Sequence, residues 1–257
     1  EKSEEVLWGT IPDHISITEN GIALSISLIQ GQKTGYYLDQ RLNRSFVSKI
    51  SKYLKNDVLE VGAGIGETTY SLCDGTQKSW VCIEPDAILI DLINKKKENG
   101  YLPSMIEIKK GTIDNLDKET KFDAIIYIDV IEHIEMDSEE LIKASSFLKP
   151  NGHLIILVPA HSYLFSKFDV AIGHFRRYNK KSLEKVIPTD LKKKELIYLD
   201  SIGLLASLMN KWFLKQDYPK LKQITFWDKI MIPFSKIIDR LIFYKLGKTV
   251  VGVWQKR

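Results

Sequence analysis

Residues 57–66 read DVLEVGAGIG, a short apolar run that ends in glycines at alternate positions, Gly62, Gly64 and Gly66. Glycines at a strand end let the backbone turn tightly and approach a bound molecule closely. Glu60 stands two residues before the first of them, and Glu84 lies 18 positions after Gly66, at the end of the next apolar run. An acid at about that distance can accept the hydroxyls of a ribose. Together these residues point to a ligand of the nucleoside type. A second group lies in DVAIGHFRRYNKKSL, residues 169–183. There Gly173 allows a bend, and His174 titrates near neutrality and can act as a base. Arg176 and Arg177 offer forked donors for phosphate or carboxylate, and Tyr178 offers a ring and a hydroxyl.

The choice of nucleoside ligand turns on position 67. A dinucleotide fingerprint places its third glycine there, whereas this chain has Glu67 after Gly66. A pyrophosphate needs an open helix N-terminus, and Glu67 brings negative charge to it. A cationic sulfonium is better served, because Glu60, Glu67, Glu84 and Asp129 make an acid-rich neighbourhood. An NAD-dependent oxidoreductase and a non-catalytic cofactor-binding subunit are the competing readings.

Strand-like runs recur at 58–61, 80–84, 105–109, 122–128, 153–158, 194–199 and 249–254, with helix-like segments between most of them. Such alternation argues for an α/β fold with a parallel sheet covered on both faces. The runs AIIYI and LIILV are nearly continuous apolar stretches, as central parallel strands are. Residues 38–54 have helical spacing, with Leu42, Phe46, Val47, Ile50 and Leu54 on one stripe. Between the sixth and seventh strands, Ser201 is expected to cap a helix reaching about Leu214. A second helix is expected between Pro233 and Gly247. Its stripe of Phe234, Ile237, Ile238, Leu241 and Ile242 is expected to pack on the sheet, with contact to a membrane or a lipid-linked substrate as the alternative.

In order and spacing, E-V-G-A-G-I-G, I-E-P-D, F-D-A-I-I-Y-I-D-V-I-E-H-I and L-K-P-N-G-H-L-I-I-L-V-P resemble the class I S-adenosylmethionine-dependent methyltransferases over roughly residues 36–159. The resemblance implies a Rossmann-like, doubly wound sheet of seven strands, the last antiparallel. It implies that Gly62, Ala63, Gly64 and Gly66 pass beneath S-adenosyl-L-methionine. Glu60 would lie near its methionine end, Glu84 on the ribose and Pro85 near the adenine. The adenine contact falls to Thr112, Ile113 or Asp114, because the acid that family members often carry directly after Gly111 is absent here. Asp129 would face the methionine part; the alternative is a helix cap. Tyr37 and Arg41 would close over the cofactor, and Tyr36 would touch substrate. Glu132-His133 resembles an E-H pair of many such enzymes, and His133 is a second candidate base. The loop at 173–178 resembles the G-H-x-R-R-Y signature of a bacterial and archaeal subgroup often encoded near surface-glycan enzymes. One arginine of that loop is expected to be structural and the other to face substrate, with His174, Arg176, Arg177 and Tyr178 as the acceptor side. No metal-ligand spacing is singled out.

At 257 residues, 44% hydrophobic and 27% charged, the chain suits one methyltransferase domain over 1–257, with a helical N-terminal segment (1–55) over the cofactor and a helical insertion at 201–247. The net charge of +4 is spread thinly, so nucleic acid is not expected as partner, and a small-molecule or glycan acceptor is. Cys73 and Cys82 read as buried thiols in a reducing cytoplasm. No apolar run reaches the roughly 20 residues of a membrane span, which leaves peripheral membrane contact through the insertion as the open possibility.

Overall fold

The computed structural model describes residues 15–19, 22–26, 50–209 and 232–257. The chain divides into two compact units, Glu1–Leu38 and Asp39–Arg257. In the first, strands β1 (Ile15–Glu19) and β2 (Ile22–Ile26) pair antiparallel, with Glu19 opposite Ile22. Where the helical segment expected over 1–55 falls on described residues, at 15–19 and 22–26, they form this strand pair; most of the segment lies outside the described residues. Most of the helix expected at 38–54, and with it Tyr36, Tyr37 and Arg41, lies outside the described residues; Ser51–Tyr53 form a 3-10 turn flanked by the buried Ile50 and Leu54.

The second unit is built on seven strands: β3 (Asp57–Val61), β4 (Ser79–Glu84), β5 (Ile106–Lys110), β6 (Phe122–Ile128), β7 (Leu148–Pro159), β8 (Leu191–Leu199) and β9 (Thr249–Lys256). Their order across the sheet is β5-β4-β3-β6-β7-β9-β8. The β3, β4, β5, β6 and β7 pairings are parallel, and β9 runs antiparallel to both β7 and β8. This is the expected doubly wound sheet.

Each central strand sends alternate residues to opposite faces. Leu59, Val61, Val81, Ile83, Ile125 and Tyr127 join one core. It is covered by α3 (Asp137–Ser146), through Leu141 and Ala144, and by α5 (Lys180–Val186), through Leu183. Val58, Trp80, Cys82, Ala124 and Ile126 join the other, covered by α1 (Glu67–Leu72) through Leu72 and by α2 (Ala87–Glu98) through Ile93. Each fully buried large side chain contributes roughly 1.5–3 kcal/mol, so both faces are strongly held. Cys73 and Cys82 are buried free thiols.

The order reverses between β3 and β6, which leaves a crevice at the carboxyl ends of these two strands. In open α/β sheets that crevice takes the ligand. The glycine turn follows β3 and the Asp129–His133 segment follows β6, so the sheet brings the two sequence signals side by side.

The insertion departs from expectation in three ways. Helix α6 (Ser201–Met209) is capped by Asp200, not Ser201: Asp200 Oδ1 accepts the Gly203 N–H at 2.9 Å. Helix α7 (Ile232–Leu241) ends well before Gly247, in a turn where Phe243 and Tyr244 both have φ +55° and the Tyr244 N–H reaches Asp239 O at 2.8 Å. Gly247 has a different task, because a Cβ there would come within 2.0 Å of the Leu199 carbonyl oxygen. Finally, only part of the apolar stripe of α7 is covered, with Ile238 and Ile242 half-buried. Ser235 and Asp239 face inward, Asp239 accepting the backbone N–H groups of Asp200 and Ser201 at 2.8 and 2.9 Å, and Ser235 Oγ donating to Asp200 Oδ1 at 2.9 Å. Phe234, Ile237 and Leu241 are left 57–70% exposed. The polar anchor decides the helix's rotation. Among the described residues, no helix is long and apolar enough to cross a membrane.

Candidate active site

The glycine turn divides its labour. Gly62, Gly64 and Gly66 all have positive φ (+69°, +56°, +80°), a region that costs other residues about 1 kcal/mol or more. A Cβ on Gly62 would lie 2.6 Å from Val130 Cγ2, and one on Gly66 would lie 2.8 Å from Ile93 Cγ1. A Cβ on Gly64 would meet nothing within 4 Å. Gly62 and Gly66 therefore serve packing, and Gly64 is the one that opens onto space. Ala63 is buried between them.

Glu84 ends β4 against this turn. Its Oε2 accepts the Gly64 N–H at 2.9 Å and its Oε1 accepts the Asp86 N–H at 3.0 Å, so the carboxylate is fixed at the strand end beside the open position. Pro85 next to it is exposed. Asp86 caps α2 through Ile88 and Leu89. Of the three adenine candidates, Ile113 is buried in the core, Asp114 pairs with Lys143 at 2.7 Å, and Thr112 forms a capping box with Asn115. Thr112 and Asp114 are both exposed.

Two acids do not belong to the expected cationic pocket. Glu60 is an even-numbered residue of β3 and points to the face covered by α1. Its Oε2 accepts from Thr69 Oγ1 at 2.7 Å and Trp80 Nε1 at 2.9 Å. Burial pushes its pKa up to about 7, against the lowering effect of these donors. Glu67 is buried against Lys96, with which it forms an ion pair. Strand alternation sent the first inward, and a lysine distant in sequence neutralises the second. Glu84 and Asp129 remain at the crevice. Asp129 stands at φ +53°, directly after β6, and its N–H donates to Leu157 O. The 3-10 turn Ile131–His133 has Val130 at its cap position.

At the loop expected to meet the acceptor, the structure joins Glu132 and His133 to the 169–178 segment. Phe175 N–H donates to Glu132 O at 2.8 Å, and His133 Nδ1 lies 3.1 Å from Gly173 O. Helix α4 (Lys167–Ala171) carries Asp169, which is fully buried. Arg177 grips this carboxylate with two nitrogens at 2.7 and 3.0 Å, and His174 Nδ1 lies 2.8 Å from its Oδ1. Burial alone would raise the pKa of Asp169, but the His174 and Arg177 hydrogen bonds outweigh it and hold the carboxyl well below its ordinary range. An ionised Asp169 fixes the His174 proton on Nδ1. Its Nε2 faces Glu132, whose Oε1 is 3.8 Å away. The His133 and His174 rings meet edge to face, with centroids 4.5 Å apart.

The two arginines and the tyrosine are more structural than expected. Arg177 is the clamp on Asp169. Arg176 pairs with Asp137 Oδ2 at 2.6 Å and donates to Glu135 O, with about a third of its side chain still exposed. Tyr178 is buried and donates to Asp137 Oδ2 at 2.6 Å; burial first, and then this acid, push its phenol far above the ordinary range. Its hydroxyl is committed inside the protein, so the expected substrate contact gives way to a brace between α3 and the loop. Glu132 has no sequence signal as a site residue, because nothing in one dimension shows that it meets His174.

A family profile described as a methyltransferase domain matches residues 36–211. Among solved structures, an N-methyltransferase, NodS, from Bradyrhizobium japonicum in complex with S-adenosyl-L-homocysteine superposes with a TM-score of 0.52 at 13% identity, over 85% of this chain and 86% of that one. The [4+2]-cyclase SpnF superposes with a TM-score of 0.57 at 11% identity, over 84% of this chain and 80% of that one. At such identities the likeness is one of fold. Ribosomal RNA large subunit methyltransferase I of Pseudoalteromonas atlantica is 46% identical over 52 residues, covering 20% of this chain and 13% of that protein. The same enzyme of Aliivibrio fischeri is 30% identical over 122 residues, covering 45% and 30%. The chain spans less than a third of the length of these curated relatives.

Proposed function

Because the chain belongs to the methyltransferase domain family, with the class I S-adenosylmethionine-dependent fold, we propose that it methylates a hydroxyl of a small-molecule or glycan acceptor, with a sugar or lipid-linked saccharide as the preferred class. The residues at the crevice fit the cofactor. Gly64 offers a cradle with no neighbour above it, Glu84 holds a fixed carboxylate beside it, and Asp129 adds a second acid. S-adenosyl-L-methionine supplies an activated methyl group on a cationic sulfur and leaves as S-adenosyl-L-homocysteine. We assign Gly64 and Glu84, with Pro85, Thr112 and Asp129, to contact with it, and Gly62, Ala63 and Gly66 to holding the turn beneath it.

The observation that carries the reading is the Asp169–His174 pair at 2.8 Å, locked by Arg177. A donor that is already activated asks the protein mainly for positioning and exclusion of water. A hydroxyl acceptor must in addition lose a proton, and an imidazole held in one tautomer is suited to that task. A neutral amine has no such need, which makes amine methylation the second reading. Replacing His174 with Ala should lower turnover about a hundredfold and leave S-adenosylhomocysteine affinity within about twofold. Equal loss of both would contradict the assignment. A screen of nucleotide sugars, lipid-linked glycans, small amines and ribosomal RNA fragments with labelled donor separates the acceptor classes. RNA belongs in it because two relatives are named for it, although they share less than half of this chain.

The exposed apolar face of α7, continued by Phe243 and Leu246 and flanked by Arg240 and Lys245, supports peripheral contact with an anionic membrane. Sedimentation with anionic vesicles tests it, and Phe234→Ser with Ile237→Ser should abolish any cosedimentation. Cosedimentation unchanged by these substitutions would remove the insertion from consideration.

A further inference from the structure

Glu132, His133 and His174 each offer a ligating atom, and these atoms all lie within 4.8 Å of one another. They come from two places in the chain, the turn after β6 and the loop after α4, so the fold assembles them. We propose that this trio is a binding site for one divalent transition-metal ion, at the acceptor side of the crevice. The proposal rests on the reading that this pocket handles the acceptor.

Three features support it. The first is chemical complementarity. Asp169 takes the Nδ1 proton of His174, and Gly173 O, which can only accept, takes that of His133. In its neutral form each ring therefore carries its lone pair on Nε2 and can ligate through it. His174 Nε2 and Glu132 Oε1 face each other at 3.8 Å, a separation that a proton or a metal ion can bridge.

The second feature is the outer shell. Metal-bound imidazoles usually give their other N–H to a carboxylate or a backbone carbonyl, which fixes the ring. Here one histidine has each kind of partner, and the carboxylate is itself forked by Arg177 at 2.7 and 3.0 Å. The third is burial: the Glu132 side chain is 0% exposed and that of His174 is 8% exposed. A buried carboxylate beside two imidazoles offers an ion a site shielded from water. Donors to one zinc-sized ion lie at most about 4.2 Å apart, so a small inward rotation of one side chain lets the three share it.

Two imidazole nitrogens and one carboxylate oxygen form a borderline donor set, suited to zinc, cobalt, manganese or ferrous ions more than to magnesium or calcium. Three protein ligands leave coordination open for water or an acceptor oxygen. In that case His174 acts as a ligand, and the ion lowers the acceptor's pKa.

The test uses the full chain, stripped with chelator and dialysed against Co2+ or Zn2+ alone. One ion per chain is expected, with a visible d–d absorption band for cobalt. Glu132→Gln and, separately, His133→Asn should weaken retention by at least about tenfold, and Asp169→Asn by about ten- to a hundredfold. Circular dichroism checks that each variant folds. Should the variants fail to fold, X-ray absorption at the zinc edge of the wild type decides, two imidazole nitrogens being expected. No retained ion, unchanged retention in folded variants, or a zinc shell without imidazole overturns the site. A metal-free protein whose turnover still depends on His174 would leave the base reading standing, with a proton in place of the ion. A metal-loaded protein with no methyl transfer would do the reverse.

Discussion

Asp169 and His174 are joined by a 2.8 Å contact between Oδ1 and Nδ1, and the same carboxylate accepts two hydrogen bonds from Arg177. The imidazole can neither turn over nor swap tautomer while that carboxylate is ionised. Asp169→Asn keeps the shape and removes the charge. Turnover should fall about a hundredfold or more with little change in S-adenosylhomocysteine affinity. Measuring kcat and the dissociation constant separately checks this, and an unaltered kcat would rule out an orienting role.

Glu60 predicts an unusual pH dependence of stability. Its folded pKa of about 7 lies above the ordinary 4.5, so the native state holds this proton to higher pH than the unfolded chain does. The stabilisation is complete below about pH 4.5 and is lost as the pH rises through 7. The whole effect is at most about 3 kcal/mol. Urea midpoints between pH 5 and 8 should show it, and Glu60→Gln should flatten that part of the curve. A wild-type midpoint that rises over this interval would refute the assignment.

Gly64 and Gly66 should separate under substitution by alanine. Both incur the positive-φ cost of about 1–2 kcal/mol. Gly66→Ala also drives a methyl into Ile93, 2.8 Å away, and should lose a further ~1–3 kcal/mol of stability. Gly64→Ala places its methyl in open space, so its main effect should be weaker S-adenosylhomocysteine binding. Thermal melts and calorimetric titration of both variants give the comparison; equal affinity losses would argue against Gly64 as the cradle.

The buried Glu67–Lys96 pair makes a third stability test. Lys96→Met alone leaves a buried carboxylate without its cation and should cost about 3–5 kcal/mol. Pairing it with Glu67→Leu should restore most of that. If the double variant is no more stable than the single one, the two residues are not coupled.

How far the sequence could be read follows from the range of each signal. Strands 57–61 and 122–128 were legible because their apolar runs and bounding turns are local. The position of Glu84 at a strand end beside the glycine turn was legible because its spacing from Gly66 is a property of one strand-helix-strand unit. Glu67 was misjudged because its partner, Lys96, is 29 residues away and on another helix. Arg176, Arg177 and Tyr178 looked like one surface in the sequence, but the fold gives Asp137 to two of them and Asp169 to the third. The face of α7 was misassigned because apolar spacing gives a stripe and no direction; two buried residues, Ser235 and Asp239, chose the direction.

The contact between Gly62 and Val130 reaches beyond packing. A Cβ at Gly62 would lie 2.6 Å from Val130 Cγ2, so only glycine lets the turn and the segment leading to Glu132 and His133 approach this closely. With the turn holding the donor and that segment meeting the acceptor, as proposed, their binding is expected to be coupled, each changing the other's affinity by the same factor, and Gly62→Ala should weaken that coupling.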